Sequence, residues 1–374
     1  MNKAIRINIA INKALTRSLT EYLKSLNLRN IFVETGRTST LNNGTGLFGL
    51  RPKTPLAYDP VEIVSIFVHQ SLEDDLMAGV FHTLDLKTPG RGTIQSSDIT
   101  IIKAHPSFQI CSQLQIPQQI PASFFTDLRA IACVVQRGEG DAVARVSLKA
   151  GASVPVTTYG IGGGVRDKLG LLRITIPPEK EVIDLVMSKY DIDSVMEMFI
   201  SEAKLDAPGR GIAYIHPIRK GTVNTRISRK RAEQAANMEQ MISAIDSIVG
   251  GVEWRKTRLE QENTRTRTFL TDLVELILVC SDGFGKKLSK IAMENGASGA
   301  TICKTRFIYT SEEDYDRNPP RRDISKMIVS PSAVPKITQA IEEAGGFGDE
   351  AQALLYSHPV LKAYTYRAKE VKRI

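Results

Sequence analysis

Apolar and polar positions along the chain switch between two periods, and the stretch from Asp127 to Lys220 shows the switch most clearly. It opens with the apolar run Leu128-Arg-Ala-Ile-Ala-Cys-Val-Val135 and closes with Ile212-Ala-Tyr-Ile215. Short apolar runs bounded by turn residues are the pattern of buried strands. Between them lie Lys149-Ala-Gly-Ala-Ser153, the glycine-dense Tyr159-Gly-Ile-Gly-Gly-Gly-Val165 and the strand-like Leu169-Gly-Leu-Leu-Arg-Ile-Thr-Ile176. In order this predicts strand, helix, strand, long loop, strand, helix, glycine loop, strand, a split βαβ unit of the ferredoxin-like kind.

The same order can be laid over both flanks. At the front, Ile5–Ile11 is a strand, Leu15, Leu19, Leu23 and Leu26 have helical spacing, and Ile31–Val33 is a second strand. A long polar loop, Thr35 to Tyr58, carries Gly36, Gly44, Gly46 and Gly49; then Val61–Val68 is a strand, Leu72–Leu84 a helix and Ile99–Ile102 a strand. At the back, Leu273–Cys280 is a strand, a helix runs to Glu294, and Asn295–Ile302 echoes the Ala-Gly-Ala-Ser of the middle unit. Its long loop, Arg306 to Arg322, holds Pro319-Pro320, and its glycine loop is Gly345-Gly-Phe-Gly348. The expected class is therefore α+β, with three tandem ferredoxin-like (βαββαβ) repeats at 1–109, 127–222 and 268–367. A Gln-rich linker with Pro117 and Pro121 fills 110–126. A basic linker fills 223–267, where Met238, Met241, Ile242, Ile245, Ile248 and Val249 predict an amphipathic helix over Ser228–Val249.

Composition sharpens this only in places. Of 374 residues 42% are hydrophobic and 24% charged, an ordinary globular balance. No run approaches the ~18 apolar residues of a membrane span, and the start, Met1-Asn-Lys-Ala-Ile-Arg, reads as the polar edge of a strand, so a cytoplasmic location is expected. Cys111, Cys133, Cys280 and Cys303 show no Cys-x-x-Cys pairing and are expected as buried free thiols. The net charge of +8 is concentrated: Arg219 to Arg267 holds 11 Lys/Arg against 6 Asp/Glu. The cluster Arg226-Ile-Ser-Arg-Lys-Arg231 makes nucleic-acid binding the alternative function class. Against it, no aromatic stacking motif lies on an inner strand, so nucleic acid is not the expected partner.

Candidate chemistry lies in a repeated Pro-Gly-Arg-Gly. Gly90, Arg91 and Gly92, and again Gly209, Arg210 and Gly211, place bare backbone N–H groups and a guanidinium where they can meet phosphate oxygens. The same residues also serve a plain tight turn. Gly160-Ile-Gly-Gly-Gly164 leads to a strand rather than a helix, so it is no dinucleotide fingerprint. Gly283-Phe-Gly-Lys-Lys287 puts Lys287 where a phosphate-binding loop needs Ser or Thr. Three histidines, His105, His216 and His358, each precede proline near the end of a fourth strand; under threefold pseudo-symmetry they could face each other and bind a metal, but the distance from the glycine loop to His-Pro differs in each repeat, so they are read as polar strand ends. Neither a metal site nor a catalytic set is expected.

The Ala-Gly-Ala start of the second strand, the long loop between strands two and three, and the Gly-x-Gly turn before strand four resemble the P-II family of nitrogen signalling proteins and its P-II-like relatives. The resemblance covers most of 127–220, extends to 268–367, and rests on element order for 1–109. It implies a trimer of ferredoxin-like units written into one chain, an intramolecular pseudo-trimer. It also implies ATP or ADP as effector in clefts between repeats, a protein partner (a transporter or an enzyme) contacted through the long loops, and no catalysis. On those loops the implied effector residues are Gly44, Gly46, Gly160, Gly162, Gly163, Arg166 and Lys168. Departures from the family are Thr93 and Ile212, where a lysine usually follows the second glycine, and the third repeat, which lacks the arginine. Tyr58, Tyr159 and Tyr309 lie in or near the loops without the surroundings of the family's modified tyrosine.

Overall fold

The computed structural model describes residues 2–42, 55–117, 120–164, 178–225, 267–308 and 321–366. A first group of elements is β1 (Asn2–Asn12), α1 (Thr16–Ser25), β2 (Ile31–Leu41), β3 (Leu56–Val68), α2 (Glu73–Thr83) and β4 (Gly92–Ala104). A second is β5 (Leu128–Gln136), α3 (Gly140–Lys149), β6 (Val156–Gly164), β7 (Glu179–Ser188), α4 (Ile192–Glu202) and β8 (Ile212–Pro217), followed by the two-residue β9 (Lys220–Gly221). A third is β10 (Leu273–Ser281), α5 (Phe284–Glu294), β11 (Gly299–Ile308), β12 (Arg321–Val329), α6 (Val334–Glu343) and β13 (Leu354–Val360), followed by β14 (Lys362–Thr365). The protein is thus a mixed α/β structure, and among the described residues all ladders between strands are antiparallel. No helix among the described residues is long and apolar enough to cross a membrane.

Within each group the first strand is central. β1 pairs with β3 and β4, β5 with β7 and β8, β10 with β12 and β13, and the second strand flanks the third. The groups then join edge to edge. β4 pairs with β13, β8 with β14, and β2, β6 and β11 pair with one another, so the described strands form a single 14-stranded sheet.

Helices cover one face of each group because their apolar stripes need an apolar partner. Leu19 and Leu23 of α1 pack on Ile7, Ile9 and Ile66; Met196, Phe199 and Ile200 of α4 pack on Ile131, Ile183 and Leu185; Leu288 and Ile337 pack on Leu276 and Leu278. Each fully buried side chain of this size contributes about 1.5–3 kcal/mol relative to exposure. The opposite face is also covered. Phe32, Phe67, Ile99 and Tyr356 meet Ile277, Val279 and Ile324, joining the first and third groups through an inner core.

Several element boundaries differ from expectation, each for a local reason. The first loop is shorter than Thr35–Tyr58, because Gly36–Leu41 pairs with Leu56–Val61. Its remainder, including Gly44 and Gly46, falls at 43–54, outside the described residues. Tyr159–Gly164 is strand rather than loop. It pairs with β7 on one side and β11 on the other, and a Cβ at Gly160 would stand 2.9 Å from Cys303 Sγ and 3.0 Å from Ile302 O. The glycines are there for close strand approach. The third strand of the second group is Glu179–Ser188, whereas Leu169–Ile176, Arg166 and Lys168 lie outside the described residues. Lys149 ends α3, and Gly151 at φ +77° turns the chain before β6, so Ala-Gly-Ala-Ser is a junction rather than a strand start. Arg306 and Arg322 belong to strands. Residues 110–117 and 120–126 form no element beyond isolated bridges. The helix expected over Ser228–Val249, the Arg226–Arg231 cluster and Tyr309 lie outside the described residues.

Candidate functional site

The first and third positions of Gly209-Arg-Gly211 are fixed by backbone geometry. Gly209 has φ +72° and Gly211 φ +140°, and a Cβ at Gly211 would lie 1.9 Å from Val134 O. Gly90 and Gly92 repeat this, with φ +88° and +148° and a Cβ at Gly92 2.3 Å from Ala10 O. Only glycine tolerates such an approach to the first strand. In the third group Gln352, at φ +45°, is the last residue with positive φ before the fourth strand, and Arg322 donates to its carbonyl at 3.1 Å.

Gly209 and Gly211 wall a cavity of about 260 Å³ between the second and third groups. Its other wall is Ser298–Thr301, where β11 begins, and Gly162, Gly163, Lys180 and Lys326 complete it. Thr365, at the end of β14, donates to Gly211 O at 2.8 Å and closes one end. Gly90 and Gly92 wall a cavity of about 210 Å³ between the first and second groups, with Thr38, Thr40, Asp59 and Asn224. There the Gly90 N–H already donates to Asn224 Oδ1 at 3.3 Å, and Asp59 makes the site less suited to an anion. At the third junction the segment after β4 lies against the turn before β13. His105 N–H donates to Ala353 O at 2.8 Å, and Phe108 packs edge-on against Phe67 at 5.5 Å.

The two arginines of the motif are turned away from these cavities. Arg210 Nη1 donates to Glu139 Oε1 at 2.7 Å, at the start of α3. Arg91 Nε donates to Leu84 O at 2.7 Å, at the end of α2. Arg91 thus meets the carbonyl end of α2, where a cation is favoured, and Arg210 meets the Glu139 carboxylate. Tyr58 and Tyr159 are also held. Arg37 lies over the Tyr58 ring at 4.4 Å and 5.9 Å from that of Tyr159, and Tyr58 O–H donates to Asp141 at 2.6 Å.

One recurring feature lies outside the sequence expectations: an acid on each third strand holds the start of the first helix. Glu181 Oε2 accepts from Gly138 N and Gly140 N at 3.1 and 2.8 Å, and Asp323 Oδ2 from Gly283 N and Gly285 N at 2.9 and 3.0 Å. Glu62 instead accepts from Thr16 Oγ1 at 2.7 Å. Cations pair with the same acids, and two come from a neighbouring group: Arg306 on Glu62 at 2.7 Å and Arg37 on Glu181 at 3.5 Å. The signal was an acid directly before an apolar, β-branched residue at the opening of a run, Glu62 before Ile63, Glu181 before Val182 and Asp323 before Ile324.

The interior where the groups meet is strongly charged. Arg6, Glu34, Asp184, Tyr214, His216, Glu275 and Lys326 surround a cavity of about 100 Å³. Lys326 Nζ is 3.2 Å from Glu34 Oε2, and Arg6 Nη1 donates to Tyr356 O–H at 3.3 Å. Burial pushes the Asp184 carboxyl up to about 6. Burial opposes the charge on Glu275 too, but the His358 imidazole beside it holds its carboxyl well below the usual range. Burial and the neighbouring His358 hold His216 well below its ordinary value. Of the three His-Pro pairs, the structure brings His216 and His358 together, with ring centroids 4.7 Å apart. His105 is elsewhere, 3.1 Å from Asp349 Oδ1.

No protein-family model and no curated protein matches the chain.

Proposed function

We propose that the chain is a P-II-like signalling protein, three ferredoxin-like units around a pseudo-threefold axis, that binds an adenine nucleotide, ATP or ADP, between its second and third units. The observation that carries the reading is the 260 Å³ cavity with Gly209 and Gly211 on one wall, the start of β11 on the other, and Lys180 together with the Glu34-paired Lys326 in its lining. Glycine turns and lysines together are suited to phosphate oxygens. Ligand pockets run to roughly 300–1,000 Å³, so this cavity suits part of a nucleotide, the rest extending toward the cleft mouth. The three recurrences of one element order, with the first strand central each time, support the unit architecture. Among the described residues, only this one of the three junctions pairs open space with cations. The first has Asn224 on its glycine N–H, and the third has Phe108 packed beside it. A cytoplasmic location, a partner transporter or enzyme met through the long loops, and a regulatory rather than catalytic role, in nitrogen signalling by resemblance, complete the reading.

Calorimetry with ATP and ADP tests it. Lys180→Ala should weaken binding by about 1.5–3 kcal/mol if one charge-assisted hydrogen bond is lost. No heat of binding for either nucleotide at millimolar concentration would refute the proposal.

A further inference from the structure

Glu275 and His358 face each other across the β10–β13 ladder. His216, on β8, reaches them from the second group. All three are buried, and one donor atom from each lies within 4.8 Å of the others. Glu275 Oε2 is 2.5 Å from His358 Nε2, while Oε1 accepts from Tyr214 O–H at 2.7 Å. Neither His216 Nδ1 nor His358 Nδ1 has a hydrogen-bond partner. Buried polar atoms without partners are rare, and two on adjacent imidazoles need a reason.

We propose that His216, Glu275 and His358 bind a divalent transition-metal ion of the zinc type. Two imidazoles and a carboxylate are a nitrogen and oxygen donor set that Zn²⁺ accepts at about 2.0–2.2 Å. Donors around such an ion stand about 3.3 Å apart in a tetrahedron, so small side-chain rotations would seat it and would open the His358–Glu275 contact. The adjoining cavity of about 100 Å³, lined by Tyr214, His216 and Glu275, has room for a water as a fourth ligand, whose share of liquid volume is about 30 Å³. Tyr214 fixes the carboxylate from behind, as partners of metal ligands do.

Charge agrees with this. Arg6 and Lys326 face Glu34, Asp184 and Glu275 in this interior, which leaves a negative charge for a dication to offset. The competing account is a direct His358–Glu275 contact with no metal. That account leaves His216 Nδ1 unexplained. The proposal does not depend on the nucleotide cleft.

The full-length protein, stripped with chelator and dialysed, is titrated with Zn²⁺ by calorimetry and with Co²⁺ by visible absorption. The expected result is one Zn²⁺ per chain, a raised melting temperature, and the intense absorption of four- or five-coordinate Co²⁺. Tyr214→Phe should weaken Zn²⁺ 10–100-fold, the usual effect of losing a group behind a ligand. His216→Gln combined with His358→Gln should abolish binding. Absence of stoichiometric Zn²⁺ in the intact chain overturns the proposal, as does undiminished binding in the double variant. Should that variant fail to fold, Tyr214→Phe decides: unchanged Zn²⁺ affinity, or the weak spectrum of six-coordinate Co²⁺, counts against the site.

Discussion

Asp184→Asn is the sharpest test of the charged interior. Asp184 lies on β7 and lines the inner cavity beside Glu34, Glu275 and Lys326. Burial raises its carboxyl from 3.8 to about 6, even though the Lys326 charge opposes the rise. A group raised on folding holds its proton more tightly in the folded state. Its favourable contribution is therefore complete below about pH 3.8 and is lost as pH rises through about 6. A rise of that size corresponds to about 3 kcal/mol. Water in the cavity screens part of this, so a range of about 1–3 kcal/mol is the expectation. Asparagine keeps the shape and removes the titration. Urea denaturation of both proteins at pH 4 and pH 8 should show the variant gaining that amount relative to wild type between the two pH values. Glu275, depressed in the folded state, contributes with the opposite sign, being lost as pH falls, and it titrates in both proteins. A variant that loses equally at both pH values, or loses more at pH 8, would refute the reasoning and make Asp184 a needed counter-ion of Arg6 and Lys326.

Gly211→Ala should cost more than about 3 kcal/mol, because its Cβ would overlap Val134 O at 1.9 Å with φ at +140°; a chemical-denaturation midpoint close to wild type would exclude the turn geometry. Arg210→Ala, by contrast, removes a half-exposed pair with Glu139 and should change stability by about 0.2–1 kcal/mol, readable in the same assay. Burial pushes Cys280 and Cys303 up to about 12, so in the folded protein at pH 8 a thiol reagent should modify the half-buried Cys111 first and leave these two unreacted until denaturant is added.

Periodicity carried the strands and helices that bury one face. Leu15–Leu26 and Leu72–Leu84 became α1 and α2 within a residue or two, and Leu273–Cys280 became β10 almost unchanged. It failed where a strand has no apolar face to show. Thr35–Leu41 is polar because its partners across β3 and β6 supply the pairing, and Gly160–Gly164 reads as a loop until β11 is laid beside it. The glycines of Pro-Gly-Arg-Gly were found by pattern, but the orientation of Arg91 and Arg210 depends on helix ends that only the fold brings near. The meeting of His216, Glu275 and His358 was not legible for a related reason. Their separation along the chain is large, and the third His-Pro pair, His105, suggested a symmetry that the unequal spacing after each glycine loop breaks.

The mutual pairing of β2, β6 and β11 has a consequence for synthesis. Ile31–Glu34 and Gly160–Gly164 are each completed by β11, which begins only at Gly299. A nascent chain that has folded its first two groups therefore presents bare strand edges until the last third is made, and bare edges recruit other chains. A ribosome paused before Gly299 would hold an adhesive intermediate, and truncation at Thr225 should yield protein that self-associates where the full chain does not. The order in which the parts are translated, and the speed with which the last is reached, then matters to this chain as much as the strength of any one contact within it.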